Sequence, residues 1–179
     1  MAQQTALAKG PPAVGARQRQ GLCIDWHNVL QHGNELSIRD GVRSALKKVL
    51  SSGRFNVWVI SFVGKDRRRK TEHLMNQCLA PLKAAFPCFL GWTTTLKKVG
   101  NGGKVAVALD KGLSLLIDDN AEICKEANDV GMLVYPIITV HNSHNWWPGP
   151  KYTNFEAAVE DLLNPVSRTQ DAAASSSAA

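Results

Sequence analysis

Three carboxylates, one lysine and one serine carry the chemistry this sequence offers. Asp25 closes the apolar run of LCIDWHN, and Asp118 and Asp119 close that of LLIDDN. Ser61 ends a third run, VWVIS, and Lys104 follows NGG just ahead of the stretch that leads into LLIDDN. Brought together, three carboxylates would repel one another unless a cation sat among them. Hard carboxylate oxygens favour Mg²⁺, which keeps several waters and joins a phosphate oxygen. A lysine and a serine hydroxyl close by are what a phosphoryl group needs for charge neutralisation and hydrogen bonding. A carboxylate beyond the metal's needs can attack phosphorus and form an aspartyl-phosphate. Singly, each residue has a plainer use: an Asp after a strand often caps a helix or shapes a turn, a Ser does the same, and a Lys is commonly solvated. Their order along the chain is what lifts the combination above those uses.

The elements that must position these residues are legible as apolar runs alternating with helical patterns. Strands are expected over Gly21 to Leu30, Phe55 to Val63, Cys88 to Trp92, Leu113 to Ile117 and Met132 to Ile138. Helices are expected over Ile38 to Ser52, stopped at Gly53, over Asp66 to Phe86 with Pro81 as a kink or break, and over Lys104 to Asp110, Ala121 to Val130 and Tyr152 to Leu163. Strands without polar alternation, separated by helices, imply a parallel sheet covered on both faces, hence an α/β three-layer sandwich with about five strands. Ligands of such sheets bind beyond the carboxyl ends of the strands, where Asp25, Ser61 and the Asp118–Asp119 pair are expected to meet.

The ordered set Asp25, Ser61, Lys104 and Asp118–Asp119 resembles the motifs of the haloacid dehalogenase-like (HAD) superfamily across roughly residues 21–163, most closely in LLIDDNAEICKEANDVGMLVYPI. The resemblance implies a Rossmann-like core and a phosphatase chemistry in which Asp25 is the nucleophile. Ser61 and Lys104 hold the phosphoryl oxygens, with Asn28 and Phe62 beside them. Asp25, Asp118, Asp119 and the backbone carbonyl of His27 hold Mg²⁺. The family's phosphatases usually carry a second Asp, the general acid and base, where this chain has His27, followed by Asn28 and Val29. An imidazole can carry protons near neutral pH. Neither gap in which the family inserts a cap domain holds more than core elements. The resemblance is therefore to capless members, which implies an open site and a phosphorylated macromolecule, or another accessible phosphomonoester, as substrate. Two other readings stand beside it. One is a catalytically weakened module on the same fold that binds nucleic acid or a protein partner. The other is a different chemistry, dehalogenation or phosphonate cleavage, in which the second Asp is also absent.

Composition bounds the rest. At 44% hydrophobic and 20% charged residues, 179 residues suffice for one domain with tails. No apolar run approaches a bilayer span, so no membrane role is expected. Residues 1–20 and 167–179 read as low-complexity tails around a domain at 21–166. The four scattered cysteines, without a CxxC pair, suit reduced thiols in an intracellular, cytoplasmic protein. Targeting to an organelle by the N-terminal tail is the alternative. The net charge of +6 is carried in good part by Lys9, Arg17 and Arg19 of the first tail and by the run Lys65-Asp66-Arg67-Arg68-Arg69-Lys70. That run begins just after Ser61, where Arg67 and Arg68 could grip a polyanion, or simply form a solvated helix face. In HNSHNWWPGP, His141 and His144 lack a third ligand for zinc. Trp146 and Trp147 are expected to pack their loop against the core rather than to stack bases.

Overall fold

The computed structural model describes residues 18–33 and 35–165. Five strands form one parallel sheet: β1 (Gln20–Ile24), β2 (Phe55–Phe62), β3 (Phe89–Thr95), β4 (Leu115–Asp118) and β5 (Leu133–Pro136), in the order β3-β2-β1-β4-β5. Five α-helices connect them: α1 (Asp40–Ser51), α2 (Arg68–Ala85), α3 (Lys104–Asp110), α4 (Ala121–Asp129) and α5 (Phe155–Leu163), with a 3-10 turn, Lys65–Arg67, ahead of α2. The expected three-layer α/β sandwich is the architecture observed.

The strands are apolar on both sides because both sides are covered. Leu22, Ile24, Val57, Val59, Leu115, Ile117 and Tyr135 pack in one layer with α1, α2 and α5. Cys23, Ile60, Leu116 and Val134 face the opposite layer, which α3 and α4 fill with Val105, Ala108, Ile123, Cys124 and Ala127. In α1 the buried stripe is Val42, Ala45, Leu46, Val49 and Leu50, one face at helical spacing. Each large aliphatic side chain so buried contributes roughly 1.5–3 kcal/mol. Gly53, at φ 66°, turns the chain out of that helix as expected.

The strand order decides where a ligand can bind. From β1 the chain moves outward to β2 and β3, then returns to the other side of β1 to lay down β4 and β5. The reversal lies between β1 and β4, the crevice where open parallel sheets bind ligands. There Ile24 pairs with Ile117, and the amide of Asp25 donates to the carbonyl of Ile117 at 2.9 Å.

Several boundaries differ from the sequence expectation. β1 stops at Ile24 and does not run to Leu30. Trp26, Val29 and Leu30 are fully buried, but on a tight turn closed by Asn28 N to Gln31 O at 2.7 Å and Gln31 N to Trp26 O at 2.8 Å. Their apolar character marked burial, not strand. Pro81 neither breaks nor ends α2, which continues to Ala85. Pro81 and Gln77 both lie on the exposed side, where water can serve the carbonyl that the proline leaves without a donor. β3 extends past Trp92 to Thr95 because Thr94 and Thr95 pair with Ser61 and Phe62. At the N-terminal side, Arg19 donates to the carbonyl of Gly53 at 3.1 Å and β1 already includes Gln20. Residues 1–17 of one expected tail and all of the other lie outside the described residues. Among those described, no helix is long and apolar enough to cross a membrane. All four cysteines are free and buried.

Candidate functional site

Strand parity aims the acidic residues. Asp118 ends β4 two positions after Leu116, so it points to the α3–α4 layer, and Asp25 follows Ile24 on the neighbouring strand. Lys104, the first residue of α3, meets them there. It is fully buried, and its Nζ lies 2.5 Å from Asp25 Oδ1 and 2.6 Å from Asp118 Oδ2. A tight turn drives the lysine inward. The amide of Gly103 donates to Gly100 O at 2.8 Å and that of Lys104 to Lys98 O at 3.2 Å. A Cβ on Gly103 would stand 2.6 Å from the carbonyl carbon of Val99, so only glycine fits. The second oxygen of Asp118 accepts the amide of Asn120 at 2.8 Å. Asn120 in turn caps α4 through Glu122 N and Ile123 N. Asp119 is held by Asn28, whose Nδ2 donates to Oδ2 at 3.0 Å. Asn28 reaches it from a left-handed backbone conformation, φ 59°, which asparagine tolerates better than most residues.

Charge does not balance in this cluster. Asp25, Asp118 and Asp119 each place a carboxylate oxygen within 4.8 Å of the others. Lys104 is the one cation hydrogen-bonded to them among the described residues. Burial, reinforced by Asp118 and Asp119 against the pull of Lys104, pushes the Asp25 carboxyl up to about 8. Burial and Asp118 likewise push Asp119 up to about 6. Burial alone would lower Lys104, yet Asp118 and Asp25 hold its ammonium above its ordinary value. The lysine stays charged, and the excess is negative. A hard divalent cation fits this donor set: three carboxylates, all oxygen, none spent on a second protein cation beyond the shared lysine. No thiolate competes for it, since burial pushes Cys23 up to about 12.

The other half of the site is a histidine–serine pair. His27 Nδ1 lies 2.9 Å from the Oγ of Ser61, which is fully buried near the end of β2. Burial, then the charges of Lys104 and Arg67, lower the pKa of His27 below its ordinary value, so the imidazole is neutral at neutral pH. His27 lines a hollow of about 190 Å³ that also meets Asp25, Asn28, Phe62, Asp118 and Asp119.

The structure thus brings together Asp25, His27, Asn28, Phe62, Lys104, Asp118 and Asp119, and ties Ser61 to them through His27. Arg67 lines an adjoining hollow. Arg68 is directed elsewhere: its guanidinium pairs with Glu72 at 2.7 Å, and Glu72 also accepts from Thr94 at 2.6 Å. The sequence reading weighed His141 and His144 only as zinc ligands and gave Asn142 no role. His141 and Asn142 line the hollow. His144, buried at φ 50°, places Nε2 2.9 Å from the carbonyl of Asp119 and 3.0 Å from that of Ile137. Both partners are acceptors, so Nε2 carries the hydrogen, and the ring ties this loop to the acidic pair. The usable signal was position: a polar stretch directly after a strand of a parallel sheet lies at the ligand edge. Trp147 packs against the second layer and donates to Pro150 O at 3.0 Å, as expected of a loop anchor, while Trp146 meets it edge-on at 5.4 Å. No family model, curated protein or solved structure matches this chain.

Proposed function

We propose that the protein is a Mg²⁺-dependent phosphohydrolase working through an aspartyl-phosphate on Asp25, with a phosphorylated macromolecule or another accessible phosphomonoester as substrate. The observation that carries this reading is the convergence of Asp25, Asp118 and Asp119 around buried Lys104 at the point where the strand order reverses. The motif order that resembles the HAD superfamily supports it independently.

Asp25, Asp118 and Asp119 would hold the metal, with the His27 carbonyl the further ligand implied by the resemblance. Bound there, Mg²⁺ offsets the charge of the carboxylates and of the phosphoryl oxygens. The chain's own residues do the rest. Lys104 engages Oδ1 of Asp25, leaving Oδ2 with lone pairs for phosphorus. As the Oδ2–P bond forms, the bond to the leaving oxygen breaks and that oxygen takes the electron pair and, finally, a proton. Water then attacks phosphorus, the Asp25–phosphorus bond breaks, and the carboxylate and inorganic phosphate are regenerated. His27 is the proton carrier. Its Nδ1 is committed to Ser61, so Nε2 is the atom that exchanges protons with leaving group and water. Lys104 also keeps Asp25 oriented, and Asn28 does the same for Asp119. Four free thiols fit the reducing interior of a cell.

A hydrolysis assay on an aryl phosphate, with Mg²⁺ and with chelator, tests the reading. Activity should require the metal and vanish in Asp25→Asn. Equal trace activity in wild type, Asp25→Asn and His27→Ala would remove it. The second reading, a module on this fold that binds nucleic acid or protein without catalysis, draws on one observation: the residue at the acid–base position is a neutral imidazole already bonded to Ser61.

A further inference from the structure

Beside the acidic cluster lies a second hollow, about 240 Å³, between the turn that follows β1 and the first turns of α2. His27 lines both hollows, so the two adjoin at this residue. Its walls are unusual in what they leave unsatisfied. Trp26 is fully buried, lines the hollow, and its indole N–H has no acceptor among the described residues. Buried N–H groups are nearly always paired, so an orphan on a residue that lines a hollow marks a donor that a ligand atom could satisfy. Arg67 and Lys70, three apart at the start of an 18-residue helix, also line the hollow. Neither forms an ion pair with any described residue, whereas Arg68, between them, is bound to Glu72. Glu35, the one carboxylate among the described residues lining the hollow, is gripped by Arg39 at 2.7 Å. Leu36 and Leu74 supply an apolar wall.

Two cations without an ion pair among the described residues and a buried neutral donor favour an anion with several oxygens. The helix dipole at this end of α2 favours the same sign. We infer that this hollow is a phosphate subsite, in which Arg67, Lys70 and the Trp26 indole hold a second phosphate carried by the leaving group of the substrate. The inference rests on the phosphohydrolase reading and sharpens it: preferred substrates bear a phosphate or phosphodiester next to the one hydrolysed. A small bisphosphate and the phosphorylated end of an oligonucleotide both present that chemistry.

Two measurements test it. The first compares kcat/KM for adenosine 3′,5′-bisphosphate, a 5′-phosphorylated trinucleotide and adenosine 5′-monophosphate. At least one of the first two should exceed the monophosphate by about tenfold or more, and which one does identifies the source. That ratio should fall to within about twofold in Arg67→Ala/Lys70→Ala. It should persist in Lys47→Ala/Lys48→Ala, which removes the same charge from exposed positions of α1. The second measures binding of the bisphosphate and the trinucleotide to the Asp25→Asn protein by calorimetry, which needs no turnover. Affinity for the preferred ligand should weaken about tenfold or more in Arg67→Ala/Lys70→Ala and several-fold in Trp26→Phe, with melting curves confirming that each variant folds. Binding that depends on Arg67 and Lys70 in a protein that hydrolyses nothing keeps the subsite and removes the phosphohydrolase reading. A wild type that hydrolyses all three substrates equally, or binding indifferent to Arg67 and Lys70, overturns the subsite.

Discussion

Nδ1 of His27 and Oγ of Ser61 lie 2.9 Å apart, joining the turn after β1 to the end of β2 across 34 positions of sequence. The contact fixes the ring and leaves Nε2 as its free nitrogen. Because burial, Lys104 and Arg67 lower the His27 pKa, the ring is a base more readily than an acid. Leaving groups that need little protonation should therefore turn over fastest, aryl phosphates ahead of alkyl phosphates. His27→Ala should slow aryl phosphate hydrolysis by about 10²–10⁴-fold. The acid limb of the wild-type rate profile should fall below 6.5, the ordinary imidazole value. His27→Asp should improve alkyl phosphates relative to aryl ones. Identical leaving-group profiles for the wild type and His27→Asp would show that position 27 moves no proton.

The acidic cluster should announce its metal in melting curves. A ligand at one hundred times its Kd stabilises the folded state by about 2.7 kcal/mol. For a domain of this size, that corresponds to about 5–10 °C. Mg²⁺ should produce such a shift in the wild type and little in Asp118→Asn, which removes one of the three charges. Equal shifts in both proteins would take Asp118 out of the metal site.

Acidity should change metal-free stability in a direction set by the same cluster. Asp25 and Asp119 have raised values, about 8 and about 6, so the folded protein holds protons that the unfolded chain has released. Their contribution is present at low pH and is lost as pH rises through those values. His27, with a lowered value, works the other way, but only below 6.5. Between pH 6.5 and 8 the Asp25 effect dominates as those of Asp119 and His27 fade, with a slope of at most about 1.4 kcal/mol per pH unit. Urea unfolding in chelator should show stability falling across that interval, and Asp25→Asn should flatten the fall. Mg²⁺, which favours the ionised carboxylates, should stabilise more at pH 8 than at pH 6.5. A metal-free stability that rises over the interval would contradict this charge arrangement.

How far the sequence reached can be judged from particular residues. Asp25, Asp118 and Asp119 were legible because parallel strands end at a ligand edge, and Lys104 because it stands just ahead of the helix that feeds the strand ending in Asp118. The parallel sheet followed from apolar runs without alternation. What stayed hidden depends on side-chain direction. Asn28 meets Asp119 across 91 positions only because the turn at 26–31 puts Asn28 in a left-handed conformation. Val29 and Leu30, beyond the polar residues Asp25, His27 and Asn28, were read with the strand because hydrophobicity reports burial and not pairing. Arg67 and Arg68 were indistinguishable in sequence, and Glu72, one helical turn beyond Arg68, separates them in space.

Lys104 offers the sharpest test of how the cluster is held together. Its ammonium is fully buried between Asp25 and Asp118, so its removal strands two carboxylates away from water. Breaking one side of a buried ion pair costs about 3–5 kcal/mol, a large share of a domain's usual stability of about 5–15 kcal/mol. Lys104→Met keeps the volume of the stem and deletes the charge, so in chelator, at a pH above about 8 where Asp25 is ionised, it should lose stability by that amount. The loss should shrink when Asp25→Asn is added, because the second change removes one stranded charge; the double-mutant cycle measures the coupling directly. Mg²⁺ should stabilise Lys104→Met more than wild type, since the cation takes over part of the lost compensation, while hydrolysis should stay low because Asp25 loses the lysine that orients it. Lys104→Arg should also destabilise, by about 1–3 kcal/mol, for a different reason: a larger head group is forced into a packed position. A Lys104→Met protein within about 1 kcal/mol of wild type in chelator would mean that Asp25 and Asp118 do not share a buried lysine, and the acidic site would have to be rebuilt without it.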